Sequence, residues 1–183
     1  MSKSKRASQS LAEIIRIRRE RVAGRMEAWA LFRRVVIVGA LGWVTFARVF
    51  SFAQVSGMDM YPALCDGDLA VVFRLDDALS LEDVVAYEAG GQTRFGRIVA
   101  AAGDVVQLSQ SGSLIVNGTT QAGEIFYPTY AKEAVEYPYR VPEGCVFLLG
   151  DYRTQAIDSR DFGGIPLEDV RGRVITLMRR RGI

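Results

Sequence analysis

The sequence predicts a mainly β, antiparallel, multi-stranded domain behind a single N-terminal transmembrane helix. Three observations lead there. An uncharged run, Val35 to Ala47, follows a strongly basic arm. Beyond it come short runs of β-branched and aromatic residues, separated by Gly-Asp and Asn-Gly turn signals. No comparable helical periodicity recurs among them.

The basic arm occupies residues 1–34. It carries ten Lys or Arg against Glu13, Glu20 and Glu27, although the whole chain has a net charge of only +2. Ser10-Leu-Ala-Glu13 fits a capping box, and Leu11, Ile14, Ile15, Val22, Met26 and Trp29 then recur at roughly helical spacing. Two readings stay open: an amphipathic helix on a membrane face, or an ordinary solvated helix with a weak apolar stripe. A basic arm beside an apolar segment suits anionic lipid better than nucleic acid, so membrane lipid is the expected contact and nucleic acid is not.

The thirteen residues from Val35 to Ala47 are too few to cross a bilayer alone. Extension back through Leu31 and Phe32 and forward to Val55 supplies the length, with arginines near both ends able to snorkel. An anchor is therefore expected over 35–55. A cleaved signal peptide is the competing reading, but no small-x-small site follows convincingly. Excess positive charge keeps the N-terminus in the cytoplasm and puts residues 56–183 outside.

The outer part contains seven expected strands: Leu69–Phe73, Val84–Tyr87, Arg94–Val99, Val105–Leu108, Leu114–Val116, Val146–Leu149 and Val174–Leu177. Gly-Asp pairs at 67–68, 103–104 and 150–151, and Asn117-Gly118, read as turns. Residues 119–143, with three prolines and four tyrosines, read as a long excursion. Cys65 and Cys145 are the only cysteines; outside the cytoplasm they form either a disulfide or two small buried thiols.

Composition narrows the chemistry before any motif does. The chain has no histidine, which removes a Ser-His-Asp triad, a Cys-His dyad and most zinc sites. No metal and no cofactor are expected. Lysine occurs only as Lys3, Lys5 and Lys132, and arginine is a poor general base because it stays protonated.

Four blocks carry a resemblance. They are the basic-flanked apolar segment ending Arg48-Val-Phe, Ser56-Gly-Met-Asp-Met-Tyr-Pro-Ala-Leu-Cys-Asp-Gly-Asp68, Phe95-Gly-Arg-Ile-Val-Ala-Ala-Ala-Gly-Asp104, and Gly150-Asp-Tyr-Arg-Thr-Gln-Ala-Ile-Asp-Ser-Arg-Asp-Phe-Gly163. In order and spacing they resemble the type I signal peptidases, over about residues 33–178. Those are membrane-bound proteases using a Ser/Lys dyad. The lysine is buried so that it can take the serine's proton, a second serine orients it, and backbone amides stabilise the oxyanion.

Mapped by this resemblance, the nucleophile position holds Asp59, the base position Gly96 and the orienting-serine position Ala156. Asp158, Ser159 and Arg160 correspond to a segment that braces the site, with Asp158 expected to pair with Arg160. Ser56, Gly57, Met58, Asp59, Met60, Pro62 and Gly96 map to the substrate groove. Gly96 is expected to open space there, and Asp59 to be either a solvated acid or a specific partner contact. Arg97 should point to the opposite face from Gly96, and Lys132 would have to fold over the site to matter.

With the dyad replaced, the resemblance implies a protein that binds exported segments without cutting them. It is similar to signal-peptidase-like proteins of Gram-positive pilus clusters, which assist pilin polymerisation. The resemblance implies pilin or other exported subunits as partners, with a sortase as a further candidate. The alternatives are an active signal peptidase cleaving leader peptides, and a relative of self-cleaving repressor proteases, against which the anchor argues.

Overall fold

The computed structural model describes residues 29–75, 79–121 and 127–179. The expected amphipathic helix from Ser10 lies outside them. The chain divides into two units, residues 1–47 and 48–183.

Helix α1 spans Trp29–Val49, 21 residues with a mean hydropathy of 1.6, and all but its last two residues belong to the first unit. Such a helix reaches about 31 Å, enough to cross a hydrocarbon core. Its apolar side chains, among them Leu31, Phe32, Val38, Leu41 and Trp43, are exposed. An α-helix pairs its interior backbone polar groups within itself, as a span through lipid requires. The expected anchor over 35–55 is thus divided. Residues 35–49 lie in the helix, but Phe50–Gln54 form a strand, β1. The aromatic and apolar content that made this stretch read as membrane also suits a sheet edge, and Val55 beyond it is core.

The second unit is two antiparallel sheets. After β1 come β2 (Leu69–Phe73), β3 (Val84–Ala89), β4 (Gln92–Ala100), β5 (Val105–Leu108), β6 (Leu114–Val116), β7 (Thr119–Thr120), β8 (Tyr139–Arg140), β9 (Cys145–Leu149), β10 (Ile165–Pro166) and β11 (Val170–Met178). A four-residue helix, α2 (Ser159–Phe162), precedes β10. The larger sheet runs β1-β2-β11-β3-β4-β9-β10 and the smaller β7-β6-β5-β8. All seven expected strands are present, several longer than expected. The excursion at 119–143 contributes β7 and β8, each of two residues.

Strand alternation explains the core. Ala70, Val72, Ala86 and Phe95 pack with Val55, Met60 and Leu64 on one face of the larger sheet. Val85, Tyr87, Ile98, Val146, Leu148 and Ile165 pack on the other. Phe147 and Leu149, the alternate residues of β9, join Val99, Val106, Leu114, Val116 and Val141 beneath the smaller sheet. The central strands are buried on both faces, which is why β3 and β9 read as nearly continuous apolar runs.

Two turn glycines behave as expected: Gly67 and Gly103 have φ of 83° and 88°. Asn117 and Gly118, at φ 51° and 79°, close the two-residue β6–β7 hairpin. Gly150 serves another purpose. A Cβ there would collide with Ala156 Cβ and lie 2.5 Å from the Asp59 carbonyl oxygen. It permits close approach of two chain segments, and this approach builds the site. Cys65 and Cys145 are both free thiols.

Candidate functional site

Four segments converge on Asp59. The first is the loop 56–68, closed on itself by Val55 N–H to Asp68 O (2.8 Å) and Gly67 N–H to Val55 O (2.9 Å). The Gly57 N–H donates to the Asp66 carboxylate at 2.8 Å and the Cys65 N–H to that of Asp68 at 3.0 Å. Met60, 1% exposed, pins this loop to the core beside Leu64. It cannot line a groove, so the expectation for Met60 is corrected: the loop turns Met60 and Leu64 into the core, and Met58 is the exposed methionine. Ser56, Gly57 and Pro62 are exposed.

The second segment, residues 150–163, holds the loop in place. The Tyr152 N–H donates to the Asp59 carbonyl at 2.9 Å, and the Ala156 N–H to the Tyr152 carbonyl at 2.9 Å. Asp158 and Arg160 form a buried bidentate pair, with Nε to Oδ1 at 2.9 Å and NH2 to Oδ2 at 2.8 Å. Asp158 also accepts the Gly150 N–H at 3.0 Å and the Arg160 N–H at 3.0 Å. The Ser159 hydroxyl accepts the Leu148 N–H at 2.9 Å. This segment is thereby fastened to β9 by buried, fully partnered groups.

The third segment is β4. Side chains two apart on a strand share a face. Gly96 lies opposite Val85, and Arg94 opposite Tyr87. Gly96 does not open space, contrary to expectation. A Cβ there would sit 3.2 Å from both Tyr87 Cε1 and Leu148 Cβ. Tyr87, buried by β-sheet packing, occupies the volume. Its hydroxyl has no hydrogen-bond partner among the described residues, and burial pushes the phenol far above its ordinary pKa. Arg94, on the same face as Gly96, reaches Asp59, with NH1 3.5 Å from Oδ2. Arg97 points the other way and pairs with Asp151 through Nε (2.9 Å) and NH2 (2.6 Å).

The fourth segment is the tyrosine-rich excursion, which returns over the site. Lys132 Nζ donates to the Ala156 carbonyl at 2.7 Å and pairs with Asp161 at 2.5 Å. Arg160 NH1 donates to the Tyr130 carbonyl at 3.2 Å, and buried Arg153 to Thr129 Oγ1 at 3.0 Å. Burial lowers Arg153 to about 10. Tyr127, Tyr152 and Tyr61 stack in sequence, with centroid separations of 4.7 and 6.1 Å.

Asp59 itself is half-buried, its side chain 24% exposed. Burial raises its pKa, opposed by a hydrogen bond from the Ile157 N–H and by Arg94; the Asp158 charge raises it and Lys132 lowers it. Among the described residues no group of three or more His, Cys, Asp or Glu side chains could hold a metal.

Residues 28–178 match the family model for signal peptidase, peptidase S26. The chain belongs to this family. Its relatives include signal peptidase I of Bacillus caldolyticus, 29% identical over 164 residues, covering 80% of this chain and 86% of that one. A probable thylakoidal processing peptidase 2 of Arabidopsis thaliana is 40% identical over 82 residues, covering 43% of this chain. The match spans only 21% of that relative's length. A crystal structure of a signal peptidase I from Enterococcus faecalis V583 aligns with 55% of this chain and 98% of its own, at 26% identity and a TM-score of 0.46.

Within the signal peptidase family pattern, positions 59, 96 and 156 carry Asp, Gly and Ala. The fold brings all three together, since Gly150 contacts both Asp59 and Ala156 while its neighbour Leu149 abuts Gly96. Strand alternation alone would have found Arg94, two residues before Gly96. Lys132 had no local signal, because only the return of the excursion brings it in.

Proposed function

We propose that this signal peptidase family member is a non-catalytic, membrane-anchored factor that binds segments of exported proteins. The observation that carries this reading is the content of the reaction centre. A carboxylate paired with Arg94 occupies the nucleophile position, and no side chain exists at the base position. Attack by a carboxylate on a peptide would give a mixed anhydride, a poor route beside an ester. Loss of a full serine-protease catalytic set lowers turnover by about 10^6. A cleft suited to an extended peptide keeps its use without a nucleophile, because main-chain pairing supplies affinity.

A chaperone-like role in pilus assembly fits best, with pilin or other exported subunits, and a sortase, as partners. Helix α1 serves as the single anchor, with the basic arm on cytoplasmic lipid and the β domain outside. The test incubates the full-length protein in detergent with a leader-bearing precursor. No cleavage is expected, whereas cleavage abolished by Asp59→Ala would overturn the reading.

A second reading, an active signal peptidase, is favoured by one observation. Lys132 brings an ammonium to the Ala156 carbonyl, beside the reaction centre. That ammonium is engaged by Asp161 and the Ala156 carbonyl rather than by Asp59. Cleavage lost in Lys132→Ala would establish this second reading.

A further inference from the structure

The carboxylate at position 59 is the most loosely paired carboxylate at the site. Asp158–Arg160, Arg97–Asp151 and Lys132–Asp161 each include a contact of 2.8 Å or less. Those are charge-assisted hydrogen bonds. The Asp59–Arg94 separation is 3.5 Å, an ion pair too long for a good hydrogen bond. Apart from it, Asp59 has the Ile157 backbone N–H. Burial nonetheless raises its pKa, so the fold does not compensate the charge it has desolvated.

Arg94 is differently placed. Its Nε donates to the Ala89 carbonyl at 3.4 Å, its NH2 to Gln92 Oε1 at 3.3 Å, and its guanidinium lies 5.7 Å from the Phe162 ring centroid. It can release Asp59 without being left bare. Lys132 is committed to Asp161 and the Ala156 carbonyl and offers no rival contact. Around Asp59, Met58, Tyr61, Ile157 and Phe162 expose apolar surface. An exchangeable carboxylate is thus set among apolar side chains that can cover the stem of a long residue.

We propose that the groove selects a segment carrying a lysine, whose ammonium takes the Asp59 carboxylate over from Arg94. This rests on the reading that the groove binds exported segments, and it names the side chain it prefers. A compact ammonium on a slim stem suits a carboxylate partly engaged by a backbone N–H. A second guanidinium would want both oxygens in one plane. A small neutral residue leaves Asp59 as it is, and an acidic residue meets like charge.

The test measures affinity of the full-length protein in detergent micelles for short, end-capped apolar peptides. They differ only in a central lysine, alanine or glutamate. Lysine should bind about tenfold tighter than alanine, between the worth of exposed and desolvated pairs, with glutamate weakest. The lysine-to-alanine ratio should fall to about one in Asp59→Asn and rise in Arg94→Gln, both checked for an unchanged β circular dichroism signal. A ratio of one in the unaltered protein overturns the lysine preference while leaving groove binding intact. A high ratio that survives Asp59→Asn places the ammonium elsewhere and also overturns it. No binding by any peptide refutes the proposal and the peptide-binding reading together.

Discussion

Asp158→Ala should be the most damaging single change near the site. The Asp158 carboxylate accepts four hydrogen bonds: from Gly150 N–H (3.0 Å), Arg160 N–H (3.0 Å), Arg160 Nε (2.9 Å) and Arg160 NH2 (2.8 Å). Both partners of the ion pair are 2% exposed or less. Truncation leaves a buried guanidinium whose remaining partner is the Tyr130 carbonyl at 3.2 Å. Breaking a buried pair from one side costs about 3–5 kcal/mol. For a domain of the size of residues 48–183, that lowers the unfolding midpoint by roughly 10–20 °C. Thermal unfolding of the full-length protein in detergent, followed by the β signal in far-UV circular dichroism, reads this directly. Removing both charges in Asp158→Ala/Arg160→Met should restore part of the loss, because no uncompensated charge then remains. A single-mutant loss below about 1 kcal/mol, or a double mutant whose loss equals the sum of the singles, would refute the argument that the pair acts as a unit.

Three further changes probe the same region. Gly150→Ala drives a methyl into Ala156 and to 2.5 Å from the Asp59 carbonyl, so it should cost at least about 1–3 kcal/mol in denaturant titration; an unchanged midpoint would mean the close approach is not obligatory. Gly96→Lys sets a Cβ 3.2 Å from Tyr87 and should lower the thermal midpoint without conferring precursor cleavage, and cleavage gained by this change alone would contradict it. Asp59→Asn should stabilise the protein at neutral pH. The folded carboxyl titrates above its ordinary 3.8, so burying its charge costs stability above the raised value. The gain should vanish in acid, where both states hold the proton, and a gain that persists or grows below the ordinary value would refute the desolvation argument.

The larger part of this β fold was legible because its strands are short, β-branched and punctuated by glycine. Four strands were not. Phe50–Gln54 read as membrane, since an aromatic and apolar edge strand directly after an apolar helix has the same composition as the helix's own end. β7, β8 and β10 have two residues each, too few for any periodicity. At the site, the block pattern located Asp59, Gly96, Ala156 and the Asp158–Arg160 pair. It failed at Gly96 because a glycine's missing side chain says nothing about what fills the space, and Tyr87 does so from a different strand. Lys132 lies 24 residues from Ala156 in sequence, and long-range contacts carry it there: Tyr127 on Tyr152, Thr129 on Arg153 and Tyr130 on Arg160.

The scaffold around Asp59 rests largely on main-chain contacts. The contacts that position the loop are the Asp59 carbonyl with the Tyr152 N–H, and the Ala156 N–H with the Tyr152 carbonyl. These are main-chain groups, indifferent to the side chain at 59 or 156. The remaining fastening comes from Asp158, Ser159 and Arg160, which satisfy one another and β9 without using positions 59, 96 or 156. The side chains at 96 and 156 thus add no hydrogen bond to this fastening, whereas the Asp59 carboxylate adds the Ile157 N–H and the Arg94 pairing. Position 96 takes a glycine because Tyr87 and Leu148 close over it, and position 156 takes an alanine because Gly150 lies against it. Only the carboxylate at 59 faces outward, half-buried and loosely paired. A charge held there against its desolvation cost is what the proposed binding role would use.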